Sequence, residues 1–73
     1  MSLRPQKRSL ILRGHQTSVT LEDRFWDALC EIAKIKELSI NTLVSEIDET
    51  RDFDAGLASA IRDYVLRYYM DKN

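Results

Sequence analysis

The sequence predicts a mostly α fold in which one short β-strand precedes three helices and a second copy of the chain completes the strand. Three observations carry this. Residues 16–21, Gln16-Thr17-Ser18-Val19-Thr20-Leu21, alternate and are dense in β-branched side chains, as a strand requires. Three later segments place apolar residues at helical spacing. The 73-residue chain also holds no staple: its single cysteine, Cys30, makes neither an internal disulfide nor a zinc site. Burial in a chain this short contributes on the order of 110 kcal/mol and ordering it costs about as much, so a partner copy is the expected source of the margin.

Residues 1–7 read as a basic, flexible N-terminal arm and residues 8–71 as a single domain. Arg8-Ser9-Leu10-Ile11-Leu12-Arg13 is short and apolar, and Gly14-His15 punctuates it. In the strand that follows, alternation puts Thr17, Val19 and Leu21 on one face and Gln16, Ser18 and Thr20 on the other. The first helix starts after Leu21, with Thr20 as the expected N-cap and Glu22 and Asp23 in the first turn, where the helix dipole favours acids. Phe25, Leu29, Ile32 and Ala33 form its stripe, Trp26 and Cys30 widen it, and it ends near Glu37. Ser39 or Asn41 caps a second helix with the stripe Ile40, Leu43, Val44 and Ile47. Turn-forming residues 52–56 end it, and a third helix presents Leu57, Ile61, Tyr64, Val65 and Tyr68.

A single strand leaves its backbone N–H and C=O groups without partners. Residues 8–13 could fold back across Gly14-His15, but Leu10, Ile11 and Leu12 leave that segment no polar face. The alternative, taken here, is the same strand from a second copy, paired antiparallel about a two-fold axis. Val19, Leu21, Phe25, Leu29, Leu43, Ile47 and Ile61 would then form the dimer core. Such a ribbon is narrow enough for the DNA major groove, roughly 12 Å wide.

Charge is distributed unevenly. Arg4, Lys7, Arg8 and Arg13 stand in the first thirteen residues with no acid; eleven bases less those four leave seven against twelve acids elsewhere, within a net charge of −1. A basic segment facing a polyanion fits this split, and so does an ordinary solvated terminus beside an acidic surface. Hydrophobic residues at 44%, two glycines and one proline exclude a disordered or collagen-like chain. No apolar run approaches a membrane span or a signal peptide's core, so the expected location is the cytoplasm, with no membrane partner.

These residues resemble a known family. Thr17-Ser18-Val19-Thr20-Leu21, the acidic helix start, Phe25-Trp26-Asp27-Ala28-Leu29 and Leu38-Ser39-Ile40-Asn41-Thr42-Leu43-Val44 look like the ribbon-helix-helix fold of bacterial repressors and antitoxins, the Arc/MetJ-like class. Gly14-His15-Gln16-Thr17-Ser18-Val19, Phe25-Trp26, Glu46-Ile47-Asp48 and Ser59-Ala60-Ile61-Arg62-Asp63-Tyr64-Val65-Leu66 resemble a small bacterial subfamily of it, over about residues 8–69. The resemblance implies an intertwined homodimer whose ribbon presents Gln16, Ser18 and Thr20 to base edges. It also implies a phosphate held by the start of the second helix, at Ser39, Ile40 and Asn41, as helix N-termini favour. Arg4, Lys7, Arg8 and Arg13 would add phosphate contacts. Three departures stand out: Glu37-Leu38 precedes Ser39 where many members have glycine, Gln16 stands at a base-reading position often held by Arg or Lys, and residues 56–62 themselves look like the second helix of the common pattern. The helix starting at Ile40 is taken as the one beneath the ribbon.

Other residues read more plainly. His15 is a turn histidine, Cys30 a small hydrophobe, Trp26 part of the stripe, and the tyrosines of the third helix core or contact residues. The acids of residues 46–54 lack the spacing of a calcium loop, and no catalytic motif appears. The expectation is a DNA-binding transcriptional regulator without metal, cofactor or enzymatic activity, partnered by a second copy and double-stranded DNA. The alternative is a dimerisation or protein-interaction module, or an antitoxin with a toxin partner, on the same fold.

Overall fold

The computed structural model describes residues 4–71. Strands β1 (Gln6–Leu12) and β2 (His15–Leu21) pair antiparallel and helices α1 (Asp23–Ile35), α2 (Ile40–Thr50) and α3 (Leu57–Asp71) follow. The antiparallel ribbon and three helices are as expected. The second strand of the ribbon, however, comes from the same chain, not from a second copy. β1 takes in Gln6 and Lys7, assigned above to the arm, and residues 1–3 of that arm lie outside the described residues.

The hairpin closes through two residues, Arg13 and Gly14, because Leu12 faces His15 across the register. Their φ values are +51° and +82°, and two positive values in succession are what the mirror-image turns of two-residue hairpins require. Glycine adopts this at no steric cost. Arg13 does not, and its side chain is anchored at both ends of the guanidinium to Asp48 (2.7 Å) and Glu49 (2.9 Å) on α2.

β1 does have two faces. Leu10 and Leu12 point inward and are buried, Lys7, Ser9 and Ile11 are exposed, and Arg8 shares the inward row, which starts at the exposed Gln6. A cation there is tolerated because Asp23, in the first turn of α1, meets it at 2.8 Å and the Trp26 ring lies 5.2 Å beneath it.

Thr20 does not cap α1. It sits in β2 with its side chain outward, and Glu22 is the N-cap, with no side-chain cap bond. The Glu22 carbonyl accepts from the N–H groups of Phe25 and Trp26, both at 3.0 Å, while its carboxylate is taken by Arg62 of α3 in two bonds of 2.9 and 3.1 Å. At the other end, Leu38 N–H donates to Ala33 O and Glu37 N–H to Lys34 O, with Glu37 at φ +58°. This is a Schellman ending with glutamate where glycine normally stands. A left-handed non-glycine residue costs roughly 1–2 kcal/mol, so Glu37→Gly should raise stability by about 1 kcal/mol, read as a higher urea midpoint at unchanged slope. Ser39 caps α2, its Oγ accepting from Thr42 N–H at 3.0 Å.

α2 docks against β1 and α3 against β2, and the helices also pack on one another. Both later helices therefore lie beneath the ribbon, one under each strand. The core joins Leu10, Leu12, Val19 and Leu21 of the ribbon to Leu29, Ile32, Leu43, Val44, Ile47, Ile61 and Val65 of the helices. Of the residues assigned to a dimer core, Val19, Leu21, Leu29, Leu43, Ile47 and Ile61 are buried within one chain, and Phe25 packs at the margin of that core.

Candidate nucleic-acid interface

The ribbon's outward face is built from both strands. The register sets Lys7 opposite Thr20, Ser9 opposite Ser18 and Ile11 opposite Gln16, and all six are exposed. Gln16, Ser18 and Thr20 thus share one face, as alternation required. Ser9 and Ile11 beside them were assigned no role from sequence; the signal was the same two-residue period, running back through Gln6–Leu12. The face carries one cation, Lys7, and no carboxylate. Two strands about 4.8 Å apart make it far narrower than the major groove.

The start of α2 flanks this face along β1. Asn41 Oδ1 accepts the N–H of Ile11 at 3.1 Å, which joins the strand's outer edge to the helix's first turn. Ser39 and Ile40 precede it, Ser39 occupied as the cap and also donating to Thr42 Oγ1 at 2.8 Å. The structure thus brings Ser39, Ile40 and Asn41 beside the ribbon face.

Two of the arginines expected at phosphates are placed otherwise. Arg8 points inward onto Asp23 and Trp26. Arg13 stands at the tip, half exposed, but bridges Asp48 and Glu49. Asp48 also accepts from Arg51 Nε at 2.7 Å, and Arg51 donates in turn to the Ala55 carbonyl. Arg51 and then Arg13 hold the Asp48 carboxyl below the usual range, and Arg62 does the same for Glu22. The acids near both ends of the ribbon are thereby matched with arginines: Glu22 and Asp23 at the open end, Asp48 and Glu49 at the turn.

Elsewhere the chemistry is structural. Cys30 is half-buried with its thiol pushed up by burial, then by Asp27, so it is disfavoured as a thiolate. Lys36 lies over the Tyr64 ring, and Tyr69 donates to Glu31 at 2.9 Å. An open groove between α2 and α3 has Ile47, Tyr64 and Tyr68 in its wall with Arg51, Asp63 and Arg67 at its polar margin. Among the described residues, no helix is long and apolar enough to cross a membrane and no three or more His, Cys, Asp or Glu side chains are grouped so as to hold a metal ion.

A family model described as a ribbon-helix-helix domain matches residues 5–69. Among solved structures, the chain is similar to an uncharacterized protein of Bordetella pertussis Tohama I, with 38% identity and a TM-score of 0.77 over 94% of this chain and 58% of that one. The chain therefore spans less than two thirds of that relative. The comparison with curated proteins finds no match.

Proposed function

The chain belongs to the ribbon-helix-helix domain family, and on that premise we propose that it is a transcriptional regulator that lays the outward face of its ribbon into the DNA major groove. The family's fold is in general that of DNA-binding regulators and antitoxins, typically without enzymatic activity. The observation that carries the reading is the face itself: Gln16, Ser18 and Thr20, with Ser9 and Lys7 across from them, form a carboxylate-free surface on a two-stranded element. Glutamine pairs with adenine, and serine and threonine bond several base edges. Lys7 and the first turn of α2 at Ser39, Ile40 and Asn41 serve the phosphates, which position the protein without reading sequence. Arg8 and Arg13 serve it indirectly, by fastening the ribbon to α1 and α2.

The protein acts as a homodimer in this reading. Because the ribbon and its core are complete in one chain, the copies pair through other surface, and the exposed Leu66 and Met70 of α3 and Ile35 of α1 supply apolar area for it. A second reading, an interaction module or antitoxin with weak DNA binding, is favoured by the ion-paired state of Arg8 and Arg13, which leaves Lys7 as the face's one cation.

A mobility-shift titration on mixed duplex DNA at two salt concentrations separates them. Binding should weaken steeply with salt, Lys7→Ala should lower the salt slope by about one, and Arg8→Met should leave that slope unchanged. Absence of a shift at low salt would sink the DNA reading in favour of the interaction module.

A further inference from the structure

On β1, the exposed Ile11 stands between buried Leu10 and Leu12, at 55% exposure against their 2% and 7%. It is held in place three ways. It lies next to the tight turn, its N–H is bound by Asn41 Oδ1, and Gln16 is its cross-strand partner. A shallow concavity beside it is bordered by Ser9, Gln16 and Asn41.

We propose that Ile11 and Gln16 together read one A·T base pair, Gln16 bonding the N6 and N7 of the adenine and Ile11 covering the C5-methyl of its thymine. The inference rests on the DNA reading above and deepens it. Directly opposed residues on an antiparallel pair have Cβ atoms about 5 Å apart, and both halves of an A·T pair show these groups at the major-groove edge. Glutamine's amide matches the adenine acceptor and donor, and an aliphatic side chain is suited to a methyl. At a G·C pair the same two residues are mismatched: cytosine offers an amino donor where Ile11 has no acceptor, and burying that donor unpaired is costly. The bond from Ile11 to Asn41 keeps the strand edge from shifting to relieve the mismatch. β1 is thereby a second reading row, chemically different from β2, and the face of one chain is asymmetric.

The test begins by selecting a duplex from a randomised library with the intact chain, then remaking it with deoxyuridine for thymine at one position at a time. Removing the methyl under Ile11 should weaken binding about fourfold, the ~0.8 kcal/mol of one buried carbon at 1.4 kcal/mol per tenfold. Ile11→Ser should bind the thymine and uracil duplexes alike, and Gln16→Ala should relax the preference for adenine on the opposite strand. Ile11 is exposed, so the variant should keep its melting temperature; if it does not fold, Ile11→Ala makes the same comparison. No uracil effect at any position, or an equal effect in the Ile11 variant, overturns the proposal while DNA binding stands. A library from which nothing is enriched overturns both.

Discussion

Ile61→Ala should lower the free energy of unfolding by about 2–5 kcal/mol, the range for truncating a buried isoleucine. Ile61 is fully buried, on a helix that lies beneath β2 and packs on both other helices. Deleting its side chain therefore opens a cavity at the meeting point of ribbon and bundle rather than at an edge that can collapse. Chains of this size hold on the order of 4–11 kcal/mol in total, so the loss is a large share of the native stability. Urea melts followed by circular dichroism measure it. Arg67→Ala, on the same helix but with its side chain 75% exposed, is the control and should change stability by no more than about 0.5 kcal/mol. Equal, small effects at both positions would show α3 to be an appendage and not a part of the core.

The three helices and β2 were legible because their information is local. Leu29, Ile32 and Ala33, or Leu43, Val44 and Ile47, recur at the helical period, and all six are buried. Val19 and Leu21 alternate with polar neighbours and are buried as well. β1 was illegible for a non-local reason. Its inward row includes Arg8, whose place inside depends on Asp23 and Trp26, fifteen and eighteen residues away, and its outward row ends with Ile11, so Leu10-Ile11-Leu12 reads as apolar on both sides. The turn was equally hidden, since Arg13 sits at a positive φ that sequence favours for glycine or asparagine. The candidate site follows the same division. Gln16, Ser18 and Thr20 were placed on one face by alternation alone. Charge counting and the family resemblance placed Arg8 and Arg13 at phosphates, because neither sees partners such as Asp48 and Glu49, thirty-five or more residues along the chain.

Replacing Ser9 and Ser18 together by cysteine, in a Cys30→Ala background, should yield on oxidation an internal disulfide within each chain and no covalent link between chains. Counted from the two-residue turn, Leu12 and His15 exchange backbone bonds, whereas Ile11–Gln16 and Ser9–Ser18 are pairs that do not. The Ile11 N–H, given to Asn41 and not to β2, fits this alternation. Opposed residues of that kind bring their Cβ atoms within the range a disulfide spans. Closing a loop of about ten residues should stabilise the chain by about 2–3 kcal/mol in the loop-entropy account. Non-reducing gels and mass spectrometry read the connectivity, and a urea melt the stability. A ribbon shared between two copies would instead trap covalent dimers, which would return the second strand to a partner chain. An internal bond means that each chain carries both reading rows, Lys7, Ser9 and Ile11 against Thr20, Ser18 and Gln16. On the proposed DNA-binding reading, pairing between copies would then place two complete ribbons on DNA rather than build one, and the spacing between two recognition elements would be the property that the dimer determines.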